Sequence, residues 1–302
     1  MRVLITGATG LIGSALSDAL LARGDEVVGL TRDPARAKPK NPTVRWYAWQ
    51  PATERPPPEA IDHVDAVVNV VGEEINQRLT EANKRRIRES RVTASRNLIQ
   101  GIKAAAQPPT VFVGQSAVGY YGDRGAAIVD EESERGEGFT AQLPADWEAA
   151  EREVGQLGLR LVIFRTAPIL SKRSGLIKQL RLPFALGLGG PIAGGEQFLP
   201  WIHLDDEVAL ILWALDNDQV SGVVNASAPN PVTNREFSKA LGRALHRPAV
   251  IPVPKLAVTA MRGGELADAV AGGARVIPRR ALDLGFEFKY TEIEPALEAA
   301  LR

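Results

Sequence analysis

The first 31 residues combine a strand pattern, a glycine-rich turn and a helix pattern, and this combination narrows the possible folds more than any other feature. Residues 2–6, RVLIT, have the pattern of a short buried strand, and glycines follow at positions 7, 10 and 13. The next segment places Leu16 and Leu20 on one helical face and reaches Gly24, a residue type that often ends helices. EVVGLTR then has the pattern of a second strand. The spacing predicts a βαβ unit, the building block of parallel sheets.

The alternation of strand and helix patterns continues to residue 167. Strand patterns recur at residues 44–49, 65–72, 110–117 and 160–167, and helical patterns at 80–106 and 144–158 separate the later ones. This order predicts the α/β class, a doubly wound parallel sheet. After Pro168 the sequence becomes rich in glycine and proline. We therefore predict a sheet domain of residues 1–167 and a small C-terminal lobe made mostly of residues 168–302, with the segment 205–228 packing back onto the sheet.

Composition excludes several classes of function. Lys+Arg and Asp+Glu both number 36, so net charge gives no sign of a nucleic-acid or anionic-membrane partner. The chain has no cysteine, which removes disulfides, thiolate nucleophiles and cysteine metal sites, and its three histidines are too dispersed to predict a metal site. No signal-peptide pattern or apolar stretch of roughly 20 residues is present, so we expect a cytoplasmic protein. Its oligomeric state, monomer or homodimer, stays open.

The glycine turn predicts a dinucleotide site. Gly7 allows a tight turn, Gly10 lets the backbone approach a pyrophosphate, and Gly13 lets helix and strand pack closely. At the end of the second strand, where an NAD enzyme places a carboxylate for the ribose 2′-hydroxyl, this chain has Thr31 and Arg32. A guanidinium pairs with a 2′-phosphate, so we favour NADP over NAD. The alternative is that Arg32 is solvated and Asp33 performs the carboxylate's role.

Five blocks, the glycine turn among them, carry a resemblance to a known family. TGATGLIG, SAVGYYG (116–122), LGLGGPIAGGEQFLPWIHLDD (186–206), NASAPNPVTNREF (225–237) and RVIP (275–278) together resemble the atypical extended short-chain dehydrogenase/reductases of the NAD(P)-dependent epimerase family, over about residues 1–300. The resemblance implies an NADP-binding Rossmann domain and a small lobe over the nicotinamide. Carried over by position, the cofactor-binding residues would be Gly7, Thr9, Gly10, Leu11, Ile12, Gly13, Thr31, Arg32, Val70, Val71, Gly72, Arg91 and Ile169. For Arg91, a solvated helix face is an equal alternative.

The expected catalytic pair is missing from this sequence. The resemblance implies a Ser or Thr, a Tyr that acts as acid or base, and a Lys four residues after the Tyr. Ser116 fits the first role, unless its hydroxyl only caps the next turn. The segment FTAQLPADWEAAEREV should carry the pair, but it has neither, and Leu143 and Trp147 stand at about these positions. Tyr120 and Tyr121 are the best relocated candidates, with packing at the lobe interface as the alternative.

Three other residues are candidates for the substrate site. Glu73 follows the fourth strand, and the lobe offers Trp201 and His203, although His203 could instead bond ahead of the helix that follows it. The sequence therefore predicts an NADP(H)-binding oxidoreductase or epimerase that acts on a small carbonyl or sugar-nucleotide substrate. The alternative is a non-catalytic NADP(H) sensor or partner-binding protein.

Overall fold

A seven-stranded parallel sheet forms the centre of the computed structural model, which describes residues 1–302. Its strands are β1 (Arg2–Thr6), β2 (Glu26–Thr31), β3 (Arg45–Ala48), β4 (Ala66–Asn69), β5 (Val111–Ala117), β7 (Arg160–Thr166) and β11 (Gly222–Ala226). Three two-stranded sheets surround it: β6 (Ile128–Val129) with β13 (Arg275–Val276), β8 (Ile169–Leu170) with β10 (Ile202–His203), and β9 (Phe198–Leu199) with β12 (Val232–Thr233).

The order of the main sheet is β11-β7-β5-β4-β1-β2-β3, and all neighbours are parallel. The chain winds outward from β1 in one direction through β2 and β3, and in the other through β4, β5, β7 and β11. The predicted doubly wound α/β fold is confirmed. Ligands in such sheets bind at the carboxyl ends of the strands where the winding reverses, which here lies between β1 and β4.

Thirteen helices accompany the strands. They are α1 (Leu11–Ala22), α2 (Pro34–Ala37), α3 (Pro58–Ile61), α4 (Glu81–Arg88), α5 (Ala94–Ala104), α6 (Phe139–Arg152), α7 (Gly175–Ala185), α8 (Leu204–Asp216), α9 (Asn234–Ala244), α10 (Lys255–Arg262), α11 (Gly264–Ala271), α12 (Arg279–Asp283) and α13 (Ile293–Leu301). The helix predicted at 80–106 is α4 and α5 joined through a π-helical turn, Glu89–Thr93. No helix is long and apolar enough to cross a membrane.

Side chains alternate between the two faces of the sheet, because successive strand residues point in opposite directions. On β1, Val3 and Ile5 pack in the core that contains α1 and α8, whereas Leu4 packs in the core that contains α5. The same alternation holds on β5, where Val113 belongs to the first core and Phe112 to the second. Polar residues that follow this pattern near the strand ends are therefore directed to one helical layer or the other.

A separate core holds the C-terminal lobe together. Buried residues from α7, α9 and α13, among them Ile177, Phe237 and Leu297, pack with Trp201. Strand β11 lies between lobe segments in sequence, yet it pairs with β7 as the last strand of the main sheet. The chain therefore leaves the sheet after β7, begins the lobe, and returns to complete the sheet.

Candidate functional site

The turn between β1 and α1 has no room for side chains at its glycines. Gly7 has φ +62°, and a Cβ there would stand 2.8 Å from the carbonyl oxygen of Val70 on the neighbouring strand. A Cβ on Gly13 would collide with the carbonyl of Gly7, and the N–H of Gly10 donates to that same carbonyl at 2.8 Å. The turn thus opens directly onto the reversal point between β1 and β4. A compact turn at the start of a helix is the geometry that receives a pyrophosphate.

The end of β2 presents a free guanidinium. Arg32 is exposed and takes part in no ion pair or side-chain hydrogen bond. The Asp33 carboxylate accepts from the backbone N–H of Arg36 at 3.0 Å and so caps α2, while the N–H of Asp33 donates to the Thr31 hydroxyl at 3.3 Å. Of the two groups considered for the 2′ position, the arginine is the one without an internal partner.

A cleft of about 1010 Å³ lies between the carboxyl ends of the strands and the lobe. The sequence candidates that line it are Ile12, Val70, Val71, Gly72, Arg91 and Ser116. The candidates that do not line it are Gly7, Thr9, Gly10, Leu11, Gly13, Thr31, Arg32, Glu73, Tyr120, Tyr121, Ile169, Trp201 and His203. Leu143 and Trp147 also line the cleft, so the positions where a Tyr and Lys were expected do reach it, and they present apolar side chains.

Arg91 projects from the π-helical turn toward the end of β4. A Cβ on Gly72 would stand 3.0 Å from the Arg91 Cζ, so the guanidinium lies flat against this glycine. Its Nη1 donates to the Ile87 carbonyl at 3.2 Å, and its Cζ is 5.2 Å from the centre of the Trp147 ring. Burial lowers the pKa of Arg91 to about 10, a value that leaves it charged at neutral pH. A π-turn that redirects one side chain into a cleft is common at functional sites.

Ser116 is bound to a buried ion pair behind the cleft wall. Its Oγ donates to Glu148 Oε1 at 2.8 Å, and Glu148 Oε1 also accepts from Arg165 Nε at 2.7 Å. Glu148 is fully buried and Arg165 nearly so. The Ser116 proton therefore points to Glu148, which leaves the lone pairs of the hydroxyl as the part that can face a ligand.

The two tyrosines after β5 are engaged elsewhere. Tyr121 is fully buried, donates to Asn225 Oδ1 at 2.6 Å and accepts from Arg165 Nη1 at 3.0 Å, and burial raises its pKa to about 12. The Arg165 guanidinium stacks 3.5 Å from the centre of the Tyr120 ring. This placement supports the packing interpretation of both tyrosines and gives no support to their proposed acid–base role.

The three substrate candidates also have structural partners. Trp201 is fully buried and donates to the Asn230 carbonyl at 3.2 Å. His203 Nδ1 accepts from the Asp205 N–H at 3.1 Å and caps α8, and burial lowers the pKa of this histidine. Glu73 accepts from Gln77 and from Arg86, each at 3.1 Å, and these bonds lower its pKa. None of the three faces the cleft.

Sequence reasoning missed a polar cluster under the cleft floor. Gln115 and Thr166, at the ends of β5 and β7, line the cleft, and the Thr166 hydroxyl lies 2.6 Å from Gln115 Oε1. Below them is Glu207 of α8, fully buried, whose Oε1 accepts from Gln115 Nε2 at 3.0 Å. Burial raises the pKa of Glu207 to about 7. The available signal was a glutamate that directly precedes the apolar run VALIL.

The fold and the turn together define a doubly wound α/β protein of the dinucleotide-binding type. The sequence pattern of the NAD dependent epimerase/dehydratase family matches residues 3–227, and that of a domain of unknown function, DUF1731, matches residues 253–300. The chain belongs to the NAD dependent epimerase/dehydratase family.

Several relatives match the chain along its whole length. The epimerase family protein SDR39U1 of Bos taurus is 39% identical over 306 residues, which is 100% of both chains. The crystal structure of human SDR39U1, isoform 2, with NADPH superimposes with a TM-score of 0.89 at 36% identity and covers 100% of this chain and 99% of that one. A protein described as the nucleoside-diphosphate sugar epimerase of Corynebacterium glutamicum matches with a TM-score of 0.80 at 32% identity, over 100% of this chain and 58% of its own.

Proposed function

We propose that the chain binds NADP(H) and acts as an oxidoreductase or epimerase on a small carbonyl or sugar-nucleotide substrate. The observation that carries the cofactor assignment is the glycine turn, where a side chain at Gly7 would collide with Val70 and one at Gly13 would collide with the backbone of the turn itself. The exposed, unpaired Arg32 fits the 2′-phosphate, and human SDR39U1 was crystallised with NADPH. Residues 1–167, completed by 205–228, would hold the cofactor, and most of 168–302 would close the substrate end.

The residues at the end of the sheet would bind the reacting part of the substrate. When bound, NADP(H) supplies or accepts a hydride. The Ser116 and Thr166 hydroxyls and the Gln115 amide are the polar groups of β5 and β7 that line the cleft. Both hydroxyls donate internally, so the second N–H of Gln115 Nε2 would donate to a substrate oxygen, and the lone pairs of Ser116 would accept from a substrate hydroxyl. Leu143 and Trp147 form an apolar wall that excludes water from this end.

A non-catalytic NADP(H) sensor is the second candidate, and one observation favours it. The two positions where a Tyr and Lys were expected hold Leu143 and Trp147, and the hydroxyl of Tyr121 is enclosed by Asn225 and Arg165. A protein that has lost its acid–base pair can keep its cofactor site. NADPH oxidation by the purified chain in the presence of carbonyl compounds would favour the enzyme, and cofactor binding without any turnover would favour the sensor.

Replacement of Arg32 tests the cofactor assignment. We expect Arg32→Ala to weaken NADPH binding by about 10- to 100-fold, since a charge-assisted bond to the 2′-phosphate is lost, and to leave NADH binding nearly unchanged. Arg45→Ala is the matched control, because Arg45 is an exposed arginine at the opposite end of the neighbouring strand β3. Fluorescence titration of both nucleotides measures the effect. Equal loss of NADPH and NADH binding in Arg32→Ala would refute the assignment.

A further inference from the structure

The charged residues of the cleft are mostly acidic. Four carboxylates line it, those of Asp123, Glu137, Glu265 and Asp268, whereas Arg91 is the only lysine or arginine among the lining residues. Glu265 pairs with Lys84 at 2.7 Å and Asp268 pairs with Lys255 at 2.6 Å, so each of these two acids already has a cationic partner.

The remaining two acids have no cationic partner. Asp123 accepts from the backbone N–H groups of Gly125 and Gly273, both at 3.1 Å, and Glu137 makes no side-chain hydrogen bond. Arg275, whose Cζ is 5.5 Å from the centre of the Phe198 ring, does not line the cleft.

The one lining cation stands on the cofactor side of the cleft. Arg91 lies against Gly72 at the end of β4, and Val70 of the same segment touches the turn at Gly7. The lobe side of the cleft therefore contains no positive side chain. Helices α6, α9 and α11 begin at the cleft, with Glu137 before the first and Glu236 and Glu265 in the first turns of the other two. Helix α7 also begins there, and Glu74 Oε1 would stand 2.8 Å from a Cβ on its first residue, Gly175. A carboxylate at each start opposes the binding of a phosphate there.

The rest of the wall is mostly apolar, and its uncharged polar side chains are those of Thr140, Gln197 and Asn234. The lobe contributes Leu176 and Leu180 from α7, Phe198 from β9 and Phe237 from α9, and these face Leu143 and Trp147 of the sheet domain. A diphosphate on such a surface would lose hydration without gaining a cationic donor, which is unfavourable. An alkyl or aryl chain would instead gain from burial.

We propose that the substrate of this cleft is an uncharged, largely apolar carbonyl compound and that nucleoside-diphosphate sugars are excluded. This inference rests on the proposed function and narrows it to one of its two substrate classes. The substrate carbonyl oxygen would accept from the second N–H of Gln115 at the end of β5, and the substrate chain would extend between α7 and the wall formed by Trp147.

The test compares straight-chain aldehydes with UDP-glucose on the unaltered chain. We expect kcat/KM for NADPH-dependent reduction to rise by about three- to fourfold per added CH₂ from butanal to octanal, because each CH₂ is buried against the apolar wall. UDP-glucose at millimolar concentration should give neither turnover nor a saturation-transfer NMR signal on the NADPH complex. Binding of UDP-glucose, or a flat aldehyde series, would overturn the inference.

Two variants of one helix locate the apolar subsite. Leu180 lines the cleft, while Leu182 on the same helix is 66% exposed to solvent. Leu180→Asp should lower kcat/KM for octanal more than tenfold without changing NADPH affinity, and Leu182→Asp should match the unaltered chain. Equal effects of the two variants would count against the subsite.

A binding measurement keeps this inference separate from the proposed activity. Saturation-transfer NMR of octan-2-one on the NADPH complex reports occupancy without turnover. If no aldehyde is reduced but octan-2-one binds to the unaltered chain and not to Leu180→Asp, the activity fails and the ligand class stands. If octan-2-one does not bind, the ligand class fails, whatever the turnover.

Discussion

Among the individual residues, Glu207 is a carboxyl group whose burial changes its protonation. Its carboxyl is fully buried between α8 and the sheet, Gln115 and Thr166 contact only Oε1, and Oε2 has no partner. A buried carboxylate that lacks a counterion is costly, so the protonated form is favoured. Burial accordingly raises the pKa of Glu207 to about 7.

This elevated pKa predicts a pH-dependent stability. The folded chain holds the Glu207 proton up to about pH 7, whereas the unfolded chain releases it near its ordinary value of 4.5, so the stabilisation is complete below about pH 4.5 and is lost as pH rises toward 7. Replacement by the neutral isostere, Glu207→Gln, should remove this decline, which amounts to roughly 3 kcal/mol for a shift of this size. Urea unfolding at pH 5, 6, 7 and 8 measures it.

Glu236→Gln is the control for this profile. Its carboxylate accepts from the Thr233 N–H and hydroxyl, which lowers its pKa, so its stabilisation is lost only as pH falls below the unfolded value. Between pH 5 and 8 the free energy of unfolding of this variant should change with pH in the same way as that of the unaltered chain. A Glu207→Gln profile that also runs parallel would contradict the proposed cause.

Some residue-level features could not be predicted from the sequence because their partners are distant in it. Tyr121 follows the Ser116 strand closely, and nothing local indicates that Asn225 and Arg165 enclose its hydroxyl. His203 was a cleft candidate, but the direction of its ring follows from the start of α8. The glycine turn was predictable, because its requirements come from local backbone geometry and the adjacent strand.

At the level of elements, the main helices and strands were predictable, whereas their partners were not. Periodicity predicted the strands from β1 to β7 that belong to the main sheet, and the predicted helix at 80–106 exists. No pattern in the sequence predicts the π-turn at Glu89–Thr93, although this turn directs Arg91 into the cleft. The contact of α6 with β7 is also invisible in the sequence, since it depends on Glu148 and Arg165, 17 residues apart.

This buried ion pair should be a major attachment of α6 to the sheet. Arg165→Ala leaves the fully buried Glu148 with only its bonds to Ser116 and Arg152 and should lower the free energy of unfolding by about 3–5 kcal/mol. Arg152 is the other arginine that pairs with Glu148, and its own side chain is 51% exposed. Arg152→Ala should therefore lower the free energy of unfolding by less than about 1 kcal/mol. Urea unfolding of both variants measures the difference. Equal losses would show that burial of the pair does not decide its strength.

For the molecule as a whole, the path of the chain couples the sheet to residues beyond 167. Strand β11 closes the sheet beside β7, and α8 covers the face that holds α1. Arg160 of β7 donates to the carbonyls of Ala214 and Val220, at 2.8 and 2.9 Å. The sheet domain is thus not continuous in sequence, although the strand and helix patterns up to residue 167 look like a complete domain.

The consequence is that residues 1–167 alone should not fold. Without β11 and α8, the fragment exposes an unpaired edge at β7 and apolar side chains such as Leu16 and Phe164, which makes aggregation the expected outcome. Supplying residues 168–302 as a second chain during refolding should restore a cooperative thermal transition, because it returns both missing elements. Circular dichroism and light scattering of the fragment, with and without its complement, measure this. A monomeric 1–167 fragment that unfolds in one sharp transition would show instead that the first six main-sheet strands form an independent unit.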